Sequence, residues 1–228
     1  MYVNNDPRKV TCRLCKESIM WRFVCHPNVL PLLGATMSEG QFAMASEWMP
    51  NGDINQFVKA RKDVNWFELL RGATEGLVYM HEQGTAHGDL KGANILIDEN
   101  GHARLADFGL LAIISDGVNV SSSNSLGQAG MHRWMSPELL DPEEFSLKHS
   151  CLTEHSDCYA LGMVMYEVLS GNLPFHCYKN SAAIGRILRG ERPVRPPGEW
   201  FNDDVWNLME DCWKPNPRDR SKTTDILR

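Results

Sequence analysis

Apolar residues recur along this chain with two periods, and the change from one to the other predicts its elements. Between Pro7 and Val24, the positions of Val10, Leu14, Trp21 and Val24 fall on one face of a helix. Glu17 shares that face, between Leu14 and Trp21, and an inward carboxylate needs a partner. Two strands are predicted next, Val29-Leu30-Pro31-Leu32-Leu33-Gly34 and Phe42-Ala43-Met44-Ala45-Ser46-Glu47, followed by the turn-rich Trp48-Met49-Pro50-Asn51-Gly52. Asn65 to Gln83 reads as an amphipathic helix. Ile95-Leu96-Ile97 is a strand, Asp98-Glu99-Asn100-Gly101 a hairpin turn, and Arg104-Leu105-Ala106 the returning strand. From His149 onward the pattern is helical. Asp157 opens a buried helix that runs to Leu169 and is ended by Gly171 and Pro174, and helices over Asn180 to Gly190 and Asp203 to Trp213 follow.

Composition narrows the class. A chain of 228 residues with 43% hydrophobic and 23% charged content can bury a sizeable core and belongs among globular proteins. Its formal charge of −6 gives no support to nonspecific nucleic-acid binding, which uses a basic surface to displace counterions from phosphates. The longest apolar stretch, Tyr159 to Leu169, is too short to cross a bilayer, and the first residues lack a secretory apolar core. No membrane association is expected, and a cytoplasmic or nuclear location is. Seven cysteines, an odd count spread through predicted helices, suit reduced thiols. Cys12 and Cys15 have zinc-like spacing, but only Cys25 and His26 stand near them and no second ligand pair follows at the usual remove.

Three short strings carry chemistry. They are His87-Gly88-Asp89-Leu90-Lys91-Gly92-Ala93-Asn94, then Asp107-Phe108-Gly109, then Ser136-Pro137-Glu138. Phosphoryl transfer asks a protein for a carboxylate to take the hydroxyl proton, oxygen ligands for magnesium, and a surface that aligns the acceptor. Asp89 fits the first need. Asn94 offers an amide oxygen and Asp107 an anionic oxygen to the same hard cation. In order and spacing these strings resemble the protein kinase superfamily, with its catalytic loop, metal motif and closing motif. Gly130-Met131-His132-Arg133-Trp134-Met135-Ser136-Pro137-Glu138 and Cys212-Trp213-Lys214-Pro215 resemble the tyrosine-kinase-like branch of serine/threonine kinases.

The resemblance implies an α+β, two-lobed fold over residues 1–228, with a truncated small β lobe (1–47), a hinge (48–52) and a mainly α-helical large lobe (53–228). It implies transfer of the ATP γ-phosphoryl group to serine or threonine hydroxyls of a protein, with Mg2+ as cofactor. Asp89 would be the base, Lys91 the charge stabiliser, and Asn94 and Asp107 the metal ligands. For ATP, Ser46 takes the gatekeeper position, Glu47, Trp48 and Met49 offer backbone groups to adenine, and Leu96 forms the floor. His87 would pack against Phe108 and so hold the metal motif that ends in Gly109. Asp157 would anchor the catalytic loop from below, Arg220 would pair with Glu138, and Glu17 would pair with a strand lysine. That lysine would lie ahead of Met1, since only Lys9 and Lys16 precede Glu17. No two of the 18 glycines stand two apart, so no G-x-G is present to cover the phosphates. Gly88 replaces the usual arginine, which weakens coupling to a phosphorylated activation segment, where Ser121-Ser122-Ser123-Asn124-Ser125 lies. Met131 replaces the usual threonine. An alternative of a different class is a pseudokinase or truncated kinase fragment that serves as a protein-binding module. The sequence sets no oligomeric state.

Overall fold

Two helices of 17 residues organise the molecule, and their sequences explain their different burial. The computed structural model describes residues 18, 21–22, 24–38, 41–61, 63–107, 112–113 and 131–227. Readings placed on Lys9, Cys12, Cys15, Lys16, Glu17, Phe108, Gly109 and the serine patch at 121–125 lie outside these residues. In chain order the strands are β1 (Leu32–Ser38), β2 (Gln41–Ser46), β3 (Thr85–Ala86), β4 (Ile95–Ile97), β5 (Ala103–Leu105) and β6 (Ala112–Ile113). The helices are α1 (Ile54–Ala60), α2 (Trp66–Glu82), α3 (Pro137–Leu140), α4 (Glu154–Ser170), α5 (Asn180–Leu188), α6 (Asp203–Cys212) and α7 (Thr223–Ile226).

Helix α2 starts where the Asn65 side chain accepts the Glu68 N–H. It buries one stripe, including Leu69, Leu70, Ala73, Leu77 and Met80, and leaves Arg71 beside Glu68 and Glu75 in solvent. Helix α4 has no polar face, and every residue from Ser156 to Val168 is buried. Such a helix is a central pillar, wrapped by other elements on all sides. Its start was placed at Asp157 by pattern, but it begins at Glu154, because Thr153 and Ser156 form a reciprocal capping box. It ends where Gly171 takes the left-handed conformation, φ +67°, which a glycine adopts without a Cβ penalty.

The strands form three antiparallel pairs among the described residues, β1 with β2, β3 with β6 and β4 with β5. The β4–β5 hairpin sits against α2 in the core, with Ile95 opposite Leu105 and Ile97 opposite Ala103. Its turn is tied by Asp98, which accepts from the N–H groups of Asn100 and His102 and from Arg104. The returning strand is Ala103–Leu105, one residue earlier than expected, and the Ala106 N–H still donates to the Asn94 carbonyl in the register of the ladder just beyond the strand end. The first strand also differs from the expectation. Pro31 has no N–H for a ladder, so Val29 and Leu30 attach to Leu105 and pairing with β2 begins only at Leu32. The β1–β2 ribbon is thinly covered, with Leu33 64% and Met37 53% exposed. Ahead of it Ser18, Trp21 and Arg22 are helical, and the Trp21 indole N–H donates to Leu30 O at 2.6 Å.

Where α4 meets α6, Gly162 permits a close approach. A Cβ at this position would lie 2.8 Å from the Cys212 Cβ and 3.4 Å from the Met209 carbonyl. Neither atom ends a flexible side chain, so the helices would have to part. Gly162→Ala should therefore destabilise the fold by roughly 1–3 kcal/mol, the size typical of overpacking, read as a lower midpoint in urea. An unchanged midpoint would show that α4 and α6 can separate at no cost.

Candidate active site

The candidate site is built on the loop between β3 and β4. Its backbone hangs from one carboxylate. Asp157, in the first turn of α4, accepts the His87 N–H on Oδ2 at 2.8 Å and the Gly88 N–H on Oδ1 at 2.9 Å. His81, from the last turn of α2, reaches Oδ2 with its Nε2 at 2.9 Å. Burial alone would push the Asp157 carboxyl up. The hydrogen bond and electrostatic pull of His81, the pull of His87 and the Gly88 N–H outweigh it and hold Asp157 below the usual carboxylate range. Gly88 itself has φ +79°, a conformation that costs a side-chain-bearing residue strain.

His87 is fully buried, and that burial lowers its pKa against the pull of nearby carboxylates, so it is neutral near pH 7. Its Nε2 faces the Ala106 carbonyl at 3.2 Å and must carry the proton, which leaves Nδ1 to accept the Asp89 N–H at 3.3 Å. Backbone and ring together set the direction of Asp89. Its carboxylate receives the Lys91 ammonium at 2.7 Å and the Asn94 amide N–H at 3.0 Å, both on Oδ2. The same Asn94 nitrogen donates to the Asp89 carbonyl at 2.8 Å. With its nitrogen turned to Asp89, Asn94 presents its oxygen on the other side. Asp107 follows Ala106, whose N–H is bonded to the Asn94 carbonyl at 2.9 Å, so the segments carrying the two residues run side by side. Asp107 has φ +60° and is exposed. A non-glycine residue held there carries strain of about 1–3 kcal/mol, a feature that clusters at functional sites. Two hard oxygens of this kind suit Mg2+, which takes one or two protein ligands and completes its shell with water and phosphate.

The adenine-side residues lie on one connection. Ser46, Glu47 and Trp48 are exposed, Trp48 at 86%, while Met49 is buried. Leu96 is half-buried and bridges to Asp53, and the Ile97 N–H donates to the Gly52 carbonyl at 2.9 Å, which brings this connection onto β4. Farther off, Arg220 and Glu138 form a buried two-pronged pair at 2.6 and 2.8 Å, and Arg220 also donates to the carbonyls of His155, Lys214 and Pro215. Such a pair fixes the segment after 131–133 to the end of the fold.

Several residues of this region went unnamed by pattern. Glu167 of α4 accepts the Gly92 N–H at 3.0 Å, the Trp134 indole at 2.9 Å and the Asn55 amide at 2.7 Å, so it ties the loop to α1 and to the segment before α3. Burial raises its pKa, with Asp53 adding to the effect, against the three donors. A carboxylate inside an otherwise apolar helix was the available signal. Gly92 is closed in as well, since a Cβ there would lie 2.3 Å from the Asn55 amide nitrogen. Arg133, also buried, donates to the carbonyls of Pro174, Phe175 and Tyr178, each at 2.7 Å. Its Nε also donates to the Asn180 side-chain oxygen at 3.1 Å, but the other three partners are backbone atoms, which no side-chain pattern announces.

The chain has matches among known proteins. Residues 3–228 match the family model of protein tyrosine and serine/threonine kinases. Among similar proteins, "Serine/threonine-protein kinase STY46" of Arabidopsis thaliana is 28% identical over 93% of this chain and 35% of its own length. "Mitogen-activated protein kinase kinase kinase 5" of the same plant is 26% identical over 98% of this chain and 31% of its own length. "Ephrin type-A receptor 5" of Rattus norvegicus is 30% identical over 94% of this chain and 21% of its own length. The chain thus spans about a third or less of the length of these curated relatives.

The two buried carboxyls of α4 should respond to pH with opposite signs. The folded-state pKa of Asp157 lies below its unfolded value, so its stabilisation is complete above about pH 4 and is lost as pH falls through the lower folded value. Glu167 has a raised folded-state pKa, so its contribution is present at low pH and is lost as pH rises through that value. Asp157→Asn should cost about 1.5–3 kcal/mol near neutrality, the worth of hydrogen bonds to a charged group. Urea midpoints between pH 3 and 6 should show its gap from the native chain narrowing toward acid. A gap that stays constant or widens would remove the ionised carboxylate from this account.

Proposed function

Because this chain belongs to the protein tyrosine and serine/threonine kinase family, we propose that it transfers the γ-phosphoryl group of ATP to a serine or threonine hydroxyl of a protein. The observation that carries this reading is the Asp89 carboxylate, oriented by Lys91 and Asn94 on a loop whose backbone is fixed by Asp157. A carboxylate so held can accept the proton of an incoming hydroxyl without having to reorient. Lys91, beside it, stabilises charge on the transferring group. Asn94 and Asp107 are the oxygen ligands for Mg2+, which when bound neutralises charge on the phosphate oxygens. Glu47, Trp48 and Met49 meet adenine, with Ser46 behind them and Leu96 below, in a hinge at 48–52 that divides a small lobe (1–47) from a large one (53–228). The acceptor class is supported by Lys91, the residue type of serine/threonine enzymes two places after the base, and by relatives named serine/threonine-protein kinases. No helix among the described residues is long and apolar enough to cross a membrane, and we assign the chain to the cytoplasm or nucleus.

The second reading, a protein-binding module, rests on the phosphate side. These 228 residues contain no G-x-G, and the β1–β2 ribbon leaves Leu33 and Met37 exposed. Nucleotide binding by the chain alone is therefore weak in our reading, and turnover low.

Two measurements separate the readings. A ligand at a hundred times its Kd stabilises a fold by about 2.7 kcal/mol, so millimolar ATP with magnesium should raise the melting temperature only slightly, and Asp107→Asn should erase the rise. Phosphate transfer from ATP to a serine/threonine peptide should fall by at least about a hundredfold in Asp89→Asn, the low end for loss of a general base. Binding with no transfer by the unaltered chain would favour the module, and transfer indifferent to Asp89→Asn would remove Asp89 from its role.

A further inference from the structure

We propose that Asn55 is a positioning residue for Asp89, and that it acts by holding Gly92 against Glu167 from the α1 side. Glu167 is 4% exposed, and its carboxyl has three partners. Oε2 takes the Gly92 N–H at 3.0 Å and the Trp134 indole N–H at 2.9 Å, and Oε1 takes the Asn55 amide N–H at 2.7 Å. The Asn55 amide also fills the space beside Gly92. A Cβ built at Gly92 would lie 2.3 Å from Asn55 Nδ2 and 2.9 Å from its Cγ and Oδ1, so the amide rests on the Cα where another residue would carry its side chain. Gly92 opens the short turn Gly92–Asn94, and that turn delivers the Asn94 amide to Asp89. The place of Gly92 therefore sets the gap between the Asp89 carboxylate and the group that orients it. Helix α1 gives Asn55 a firm footing. Asp53 caps it by accepting the Gln56 N–H at 3.0 Å, Ile54 and Phe57 are buried, and the Gly52 carbonyl just ahead of it is bonded to the Ile97 N–H.

This role does not depend on the charge of Glu167. Oε2 faces two N–H donors, so it carries no proton whether the carboxyl is ionised or neutral. Any proton sits on Oε1, opposite Asn55. Toward an ionised Glu167 the amide donates through Nδ2, and toward a neutral one it accepts through Oδ1 after turning over. Asparagine is a partner in both forms. Leucine has nearly the same shape but neither function, and it would leave Oε1 unmet in a buried place, where an unsatisfied polar atom is costly. The carboxyl is one rigid plane, so a turn that takes Oε1 toward another partner also takes Oε2 away from Gly92. Asn55 touches none of the reacting groups. Its hold on Gly92 follows from geometry, whereas its importance for phosphoryl transfer rests on the function proposed above.

Amide exchange and carboxyl-carbon spectra of the whole chain test this, with Glu167→Gln used to identify the Glu167 signal. In the unaltered chain the Gly92 amide should be protected from exchange. Asn55→Leu should quicken that exchange by about three- to tenfold, the scale of one lost hydrogen bond, and should raise the Glu167 pKa, because a donor that favours the ionised form is gone. Asn55→Asp should raise that pKa further, by setting a second carboxylate against the first. Filling of space alone does not produce this order, since leucine keeps the shape. Should Asn55→Leu fail to fold, Asn55→Ala is read by Gly92 exchange. An unprotected Gly92 amide in the unaltered chain would overturn the proposal. So would a Gly92 exchange rate and a Glu167 pKa that Asn55→Leu leaves unchanged. Transfer from ATP to a serine/threonine peptide reads the effect on Asp89. Asn55→Leu should lower kcat by about tenfold, within the range that misplacement of a reacting group costs, and leave the KM for ATP as it was. An equal kcat in the two chains would sink the positioning of Asp89. If the exchange and carboxyl results hold while the unaltered chain transfers no phosphate, the proposed function fails and the hold of Asn55 on Gly92 stands.

Discussion

Everything proposed for the site depends on one carboxylate beneath a loop. Asp157 stands in the first turn of a helix buried on every side, where an anion is costly unless its oxygens are occupied. They are occupied by the two consecutive amides of His87 and Gly88 and by His81. The electrostatic demand of a buried charge and the geometric demand of a loop that must hold Asp89 still are met by the same three bonds. Because that charge needs those amides, loop and pillar cannot be loosened separately.

Helix α4 holds a second carboxylate on different terms. Glu167 ties Gly92, Asn55 and Trp134 together, but burial and the nearby Asp53 push its pKa up where that of Asp157 is held down. The difference lies in the neighbours. Asp157 has imidazole rings and consecutive backbone amides around it, whereas Glu167 has neutral donors and another acid. One helix therefore supports the loop at two points, near Gly88 with an acid that favours ionisation and near Gly92 with one that resists it.

What could be read from the sequence follows the range of the interactions. Asn65 before an amphipathic run and Gly171 after an apolar one mark helix ends through local chemistry, and the structure has caps at both. Thr153 and Ser156 are equally local and would have placed the start of α4 at Glu154. Pro31 gave a further unused sign, since a residue without an N–H does not sit inside a ladder, and the first strand begins beyond it. The Asp157 and Arg220 contacts could be anticipated only through resemblance, because their partners lie far away in the chain. Arg133 and Glu167 stayed silent for a related reason. Each draws its meaning from backbone groups or single side chains brought near by the fold, and periodicity carries no record of such pairs.

The grip of Arg133 on Pro174, Phe175 and Tyr178 has a consequence for how this surface can diverge. Carbonyl oxygens are supplied by every amino acid, so the guanidinium holds the 174–178 turn whatever side chains it displays. The constraint on the turn is conformational, as at Phe175 with its φ of +55°, and the exposed positions such as His176 and Cys177 are left out of it. Mutational drift at those positions can change the chemistry of the turn without weakening its attachment. Loss of Arg133, by contrast, would remove three bonds to the turn at once. The geometry therefore separates what attaches the turn from what the turn displays.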